Sequence, residues 1–450
     1  MGITHAAVCS EYGHEVYAYD IDSEKLAAYE SKQRERINHY VNETGLAEII
    51  AENVGRSLFF VNQLVPVIEG TEAIFLCLPT PPKPNGSSDL SIYFKALEQL
   101  ATVLASRKDQ RRVLLINKST VPVGTARQLE GFLHDRGVPN FGIASNPEFL
   151  PEGDAVEKSR RPERIVVGAD REEDFSICRR AYSQFVNHVR IHYIETTPET
   201  AESIKYVSNT LLLTYISFWN GVGARIGETF PNVRMDDLKR GVTSDGRIST
   251  WGSYVSNGAG GSCFGKDIRS LIYQLKSHGQ SADLLESVYE INEYQKSYLV
   301  DRAASEARFS FNQKSVALLG LAFKKKTNDI RDSSSLKVLE TLLAKGVREI
   351  RAYDPLAIPE AKRYFDSNQN HLFEKISYHN TVAETLQGCE CVFVSTDWEE
   401  FRGLSRSIKA HVRPGSLILD GRRMIPDFQQ LVEAGYHYLA VGSPHLAPRA

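Results

Sequence analysis

The stretch Gly258-Ala259-Gly260-Gly261-Ser262-Cys263-Phe264-Gly265-Lys266-Asp267 places a thiol between a run of small residues and an ammonium–carboxylate pair. Glycine has no Cβ and tolerates positive φ, so such a loop can bend close to a ligand, and Lys266 could favour a thiolate on Cys263. Cys263 is therefore a candidate nucleophile. A buried structural cysteine behind a Gly-rich turn is the competing account of the same residues. Lys205 and Asn209, four apart in a helical pattern, share one face. They could bind a substrate or belong to a solvated face. The loops Pro79-Thr80-Pro81-Pro82 and Lys118-Ser119-Thr120-Val121-Pro122-Val123-Gly124-Thr125 each follow an apolar strand pattern. Open α/β sheets bind ligands at the carboxyl ends of strands, although turn chemistry also accounts for Pro and Thr there.

The elements that must hold these residues are bounded by composition. With 450 residues, 42% hydrophobic and 24% charged, the chain is long enough for two or three cores. A net charge of −3 gives no general reason to bind nucleic acid or an anionic membrane, so a small-molecule partner is expected. Six cysteines, at 9, 77, 178, 263, 389 and 391, are too scattered for a disulfide scaffold or a zinc module. A reducing cytoplasm and no metal are expected, with Cys389 and Cys391 as core residues on one face of a strand. No apolar run reaches the roughly 20 residues that span a bilayer, and the first residues lack the regions of a signal peptide.

Along the chain, a helix over 6–12 closes at Gly13 and precedes a strand over 15–19 that ends at Asp20. A dinucleotide-binding unit has a strand and two glycines before such a helix, and an acid after its second strand. Gly2 stands where the third glycine would, so the sequence reads as beginning inside the motif, without the first strand. Apolar strands over 73–78, 113–116 and 164–168 alternate with amphipathic stretches such as 91–105, a doubly wound pattern. From about Pro198, long helical patterns over 200–226 and 282–302 replace strands. A second α/β alternation opens with a strand ending at Gly320, a helix over 334–345 and a strand closed by Asp354. Strands over 391–395, 416–419 and 438–441 follow, and a second nucleotide is a natural inference. The expected fold is two doubly wound Rossmann-like α/β domains (1–197 and 303–450) joined by a helical domain (198–302).

Taken together, Lys118-Ser119-Thr120-Val121-Pro122-Val123-Gly124-Thr125, Asn146-Pro147-Glu148-Phe149-Leu150-Pro151-Glu152-Gly153, the Lys205/Asn209 helix, the loop around Cys263, and Gly320-Leu321-Ala322-Phe323-Lys324 with Asp329-Ile330-Arg331 resemble the nucleotide-sugar dehydrogenase family over nearly the whole chain. The resemblance implies NAD as cofactor, a homodimer formed by the middle domain, and UDP-glucose or a similar nucleotide sugar bound by the last one. The implied reaction is a four-electron oxidation of the sugar C6 alcohol to a carboxylate. In it Cys263 is the nucleophile, Lys205 and Asn209 stabilise oxyanions, and Asp267, Thr120 and Glu152 manage protons and a water. Glu148 supports the substrate loop or hydrolysis. By the same resemblance Gly2, Asp20, Lys25, Thr80, Thr120 and Lys266 meet the cofactor. Phe149, Leu150, Lys324 and Arg331 meet the substrate, with Arg247 reaching it from a neighbouring subunit. Ala259 and Gly265 depart from the family pattern, so another nucleotide sugar (GDP-mannose or a UDP-N-acetylhexosamine) stays open, as does a non-catalytic UDP-sugar binder.

Overall fold

Short apolar runs bounded by Gly, Asp and Ser form thirteen strands among the residues described by the computed structural model: 1–41, 43–109, 111–368 and 370–448. The chain divides into two compact units, Met1–Ser208 with Arg269–Gln280, and Asn209–Ile268 with Ser281–Ala450. This partition passes through the helices Pro198–Phe218 and Phe264–Ser277, both in the segment read as a central helical domain.

In the first unit, β1 (Val16–Tyr19) and β2 (Leu58–Val61) form a parallel pair of their own. A second sheet runs β3 (Ala73–Leu76), β4 (Val113–Asn117), β5 (Phe141–Ser145), β6 (Arg164–Gly168) and β7 (His192–Thr196) in that order. Its pairs are parallel except where β5 meets β6 at Ser145 and Gly168. Strand β4 is buried along its whole length because both faces are covered. Leu97, Leu100 and Leu104 of the helix Ser91–Ala105, with Leu129 and Leu133 of the helix Thr125–Asp135, cover Val113 and Leu115. Ile177, Cys178 and Phe185 cover Leu114 and Ile116. The first helix starts earlier than its apolar pattern suggests, at Gly2, and sets Ala7 and Val8 against Leu46, Ile50 and Leu58.

In the second unit, β8 (Ser315–Leu319), β9 (Glu349–Tyr353), β10 (Ile376–Tyr378), β11 (Cys391–Val394), β12 (Leu417–Asp420) and β13 (His437–Ala440) form one parallel sheet. Its order is β10-β9-β8-β11-β12-β13, the dinucleotide-fold order 3-2-1-4-5-6. The same order laid on the first unit puts β2 and β1 in one half and β3, β4 and β5 in the other, so the break falls where that order has its first strand.

Two sequence expectations need correction. The helix expected over 200–226 is interrupted by a π turn, Trp219–Gly223, between Pro198–Phe218 and Ala224–Thr229. Asn220 turns its Oδ1 there to accept from the Ser256 amide at 2.8 Å, and a Cβ at Gly223 would lie 2.7 Å from the Trp219 ring. Cys391 opens β11, but Cys389 lies in the turn before it, its thiol donating to the Thr385 carbonyl, so the two buried cysteines do not share a strand face. Among the described residues no helix is long and apolar enough to cross a membrane.

Candidate active site

The carboxyl end of β4 runs directly into the loop 118–124, where the proline and glycine end one element and start the next, and hydrogen bonds fix its path. Ser119 Oγ donates to the Leu78 carbonyl at 2.7 Å and accepts from the Leu78 amide at 2.7 Å, while Thr80 Oγ1 donates to the Thr120 carbonyl at 2.8 Å. The two loops singled out in the sequence are thus tied to each other. Lys118 is buried, with its ammonium 3.0 Å from Glu148 Oε2 and donating to Asn146 Oδ1 at 2.9 Å. Asn146 in turn donates to the Val166 carbonyl at 2.7 Å. Glu148 therefore belongs to a charge pair beneath the loop 146–153, and its other oxygen accepts from the Phe149 amide at 2.8 Å. The far end of that loop, which carries half-buried Glu152, is held by Glu43, whose carboxylate accepts from the Gly153 and Ala155 amides at 2.6 and 3.2 Å.

The helix Pro198–Phe218 brings Lys205 to these loops. Its ammonium lies 5.4 Å from the centre of the Phe149 ring, which also carries the Arg164 guanidinium at 4.1 Å. Lys205 and Thr120 line one small cavity with Asn117, Ser145 and Glu202. Glu202 is only 3% exposed, yet its carboxylate accepts from the amides of Gly124 (2.7 Å) and Ala126 (3.0 Å) and from Ser145 Oγ (3.0 Å). Burial pushes its carboxyl up to about 7 in spite of those three donors.

In the second unit, one turn along the same helix, Asn209 donates from Nδ2 to Asp267 Oδ2 at 2.6 Å, and Lys266 Nζ donates to Asp267 Oδ1 at 2.6 Å. Asp267 is 1% exposed, so both donors compensate a buried carboxylate. Cys263 precedes the helix Phe264–Ser277, its carbonyl accepting from the Asp267 amide at 2.9 Å. It is exposed, with Sγ 3.9 Å from Ser262 Oγ, which settles against a buried structural thiol. The glycines before it serve the protein's own packing. A Cβ on Gly260 would lie 2.6 Å from the Asp332 carbonyl, and one on Gly261, at φ +93°, 2.9 Å from the Phe323 ring. The helix Asp283–Ser305 stitches this loop down. Asn292 both accepts from the Ala259 amide (2.8 Å) and donates to its carbonyl (3.0 Å), and buried Lys296 holds Glu293 and Asp332 at 2.7 and 2.5 Å.

The remaining expected positions are more peripheral. Gly2 opens the first helix, which has no side-chain cap, and a Cβ there would lie 2.9 Å from Cys77 Cβ. That close approach and the uncapped helix N-terminus fit a dinucleotide phosphate site. Asp20, closing β1, accepts from the Asp22 amide at 3.1 Å and from Lys25 Nζ. Leu150 and Lys324 are half-buried, and Arg331 is exposed with its guanidinium on Asp329 at 2.7 Å. Arg247 stands exposed, with its guanidinium on Asp245 at 2.6 Å. Sequence reasoning missed Glu43, Glu202, Asn292 and Lys296. Only the last pair left a signal, two polar residues at i and i+4 on a helix face.

Residues 1–186, 199–294 and 317–427 match, respectively, the NAD binding domain, central domain and UDP binding domain of the UDP-glucose/GDP-mannose dehydrogenase family. The UDP-glucose 6-dehydrogenase of Pseudomonas aeruginosa is 33% identical over 453 residues, covering 99% of this chain and 96% of that protein. TuaD of Bacillus subtilis, also a UDP-glucose 6-dehydrogenase, is 31% identical over 447 residues, covering 99% and 91%. A solved UDP-glucose dehydrogenase from Pyrobaculum islandicum matches with a TM-score of 0.86 at 28% identity, over 98% of this chain and 95% of that one.

Proposed function

The chain belongs to the UDP-glucose/GDP-mannose dehydrogenase family and is an NAD-dependent nucleotide-sugar dehydrogenase; from that premise we propose that it oxidises the C6 alcohol of UDP-glucose to the carboxylate of UDP-glucuronate through a covalent adduct on Cys263. The observation that carries the reading is the exposed thiol of Cys263 one helical turn from buried Asp267, which is itself bonded to Asn209. Similarity to the UDP-glucose 6-dehydrogenases of P. aeruginosa and B. subtilis supports UDP-glucose over GDP-mannose or a UDP-N-acetylhexosamine.

NAD, when bound, accepts one hydride in each of two oxidations. Gly2 and the uncapped helix N-terminus suit its phosphates, and Asp20 with Lys25 its ribose, while Thr80, Thr120 and Lys266 complete the cofactor set. The alcohol proton is lost as C6 reaches the aldehyde level. Lys205 and Asn209, one turn apart, donate to the oxygen that gathers negative charge, a contribution typically of a few kcal/mol (about 3) for one preorganised donor. Cys263 Sγ then adds to the aldehyde carbon, giving a thiohemiacetal that can be oxidised again. The resulting thioester is cleaved by water, which returns the thiol and releases the acid. Asp267, with Thr120 and Glu152, holds protons and that water, while Glu148 braces the substrate loop through Lys118. Phe149, Leu150, Lys324 and Arg331 bind the nucleotide sugar, and Arg247 reaches the sugar of a second copy.

A homodimer is part of this reading. Leu211, Phe218, Val222, Phe230 and Tyr294 are large apolar side chains left exposed on helices and turns of the second unit, the kind of surface a second copy covers. Leu211→Glu should shift the mass in solution toward the monomer; a persistent dimer would place the interface elsewhere.

The deciding experiment counts NADH per UDP-glucose consumed and identifies the product by mass. Two NADH and UDP-glucuronate are expected, and faster turnover of GDP-mannose would overturn the substrate assignment. Cys263→Ser should cut acid formation by about 10³-fold or more, the scale seen when a covalent nucleophile is removed. Undiminished acid formation would remove the thiol from the mechanism.

A further inference from the structure

Glu202 has no part in the chemistry outlined above, yet it is the most buried carboxylate on the helix face that leads to Lys205, three residues away. Burying a carboxylate is costly unless its oxygens are filled, and the donors that fill Glu202 come from two pieces of the candidate site, the helix start after the Thr120 loop and the end of β5. Oε2 accepts from the Gly124 amide, at the end of the loop that carries Thr120. Oε1 accepts from the Ala126 amide, in the first turn of the helix Thr125–Asp135, and from Ser145 Oγ, the last residue of β5 before the loop 146–153. Thr120, Ser145, Glu202 and Lys205 also face one cavity of about 10 Å³, the room of a single water. Gly124 is the N-cap of the helix Thr125–Asp135 and has no side chain to cap with, so a capping role alone could explain two of the three bonds. It does not explain the third, to Ser145, or the shared cavity with Lys205.

We propose that Glu202 is a positioning residue of the dehydrogenase: its carboxylate pins the Thr120 loop and the end of β5 to the helix that carries Lys205, and so sets where the Lys205 ammonium meets the oxygen on C6. The proposal rests on the role given to Lys205 above. It makes Glu202 a determinant of turnover, with little part in substrate or cofactor affinity.

Glu202→Gln keeps the shape and one acceptor oxygen but turns an NH₂ toward the Gly124 amide, so one clamp becomes two opposed donors. Steady-state kinetics of this variant, of Lys205→Ala and of the double variant separate the possibilities. Glu202→Gln should lower kcat by about tenfold to a hundredfold, the effect of misplacing a catalytic group by roughly 1 Å, with KM for both substrates within about threefold. The double variant should be little slower than Lys205→Ala alone, since Glu202 acts through that ammonium. Unchanged kcat with a lowered melting temperature would reduce Glu202 to a helix cap and overturn the proposal. Losses that multiply in the double variant would overturn it as well. Should Lys205→Ala leave kcat unchanged, the oxyanion reading itself fails and the proposal with it; a large Lys205 effect beside a silent Glu202→Gln sinks the proposal alone. If Glu202→Gln does not fold, Ser145→Ala removes the one bond outside the cap. A severalfold fall in kcat at constant KM then supports the proposal, and unchanged kcat overturns it.

Discussion

Asp20 closes β1 and Asp354 closes β9, each at the end of the second strand of a nucleotide-binding order, yet the two carboxylates are occupied quite differently. Asp354 is 2% exposed and accepts five hydrogen bonds. Its donors are the amides of Leu321, Ala322, Leu356 and Ala357, at 2.8 to 3.0 Å, and Trp398 Nε1 at 3.1 Å. It folds the Gly320 turn onto itself and is spent as a strut. Asp20 keeps 30% of its side chain exposed and, among the described residues, holds Lys25 and the Asp22 amide alone, which leaves it acceptor capacity for the ribose hydroxyls of the proposed cofactor. The sheets differ in the same sense, one continuous over six strands and the other split into two and five. An acid after a strand thus marks a topological position, and its hydrogen-bond partners decide whether it serves a ligand or the fold. Asp354 is accordingly taken up by the fold, and under the proposed function the second unit meets its ligand through Lys324 and Arg331 instead.

The sharpest way to break this comparison is to remove both acids. Asp354→Ala strands several buried donors at roughly 1–3 kcal/mol each, so a loss of about 5 kcal/mol is expected, measured by denaturant unfolding. Asp20→Ala should cost less than about 1 kcal/mol, as exposed charge pairs do, and weaken NAD binding instead. Equal stability losses would mean that both acids serve the fold alike.

The glycines at the two turns should differ in the same direction. Gly320 sits at φ +98° with Thr396 Cβ only 2.4 Å from where its own Cβ would be, so Gly320→Ala should destabilise by about 3 kcal/mol. Gly2→Ala meets only Cys77 Cβ at 2.9 Å and should cost about 1 kcal/mol, relieved in the pair with Cys77→Gly. Thermal melts of the four proteins would expose any reversal.

Glu202 is one of the buried acids of the first unit, and its signature is a pH dependence. Its carboxyl is raised from 4.5 to about 7 by burial. Stability contributed by the protonated form is therefore complete below about pH 4.5 and lost as the pH rises through about 7. The shift corresponds to about 3 kcal/mol. Unfolding free energies of the parent minus those of Glu202→Gln should fall by that amount between pH 4 and pH 8, and a flat difference would show the carboxyl to be unperturbed.

Much of the fold was legible because period and punctuation are local properties. The strand over 164–168 and the helix over 91–105 are bounded in the structure by the residues that bound them in the sequence, since apolar alternation and turn residues mark both ends. The π turn was not legible, because helical periodicity runs through Trp219–Gly223 and only the bond from Ser256, distant in the chain, favours the wider turn. Of the candidate site, the thiol of Cys263 beside the Lys266–Asp267 pair and the i, i+4 spacing of Lys205 and Asn209 were legible. Each also had a structural or solvated-face account, and it was the family resemblance that joined them into one site.

By itself, then, the sequence determined the alternation of strands and helices, the thiol and the polar residues available for chemistry. Only the tertiary structure decided that the glycines before Cys263 admit Phe323 and Asp332, that Asp354 is a strut while Asp20 stays open, and that Glu202, silent among so many glutamates, clamps the loop beside Lys205. The physical reason is the same in each case. A residue's type fixes what it can donate, accept or exclude, whereas its role depends on which donors and which surfaces distant parts of the chain bring to it, and whether water remains to compete with them.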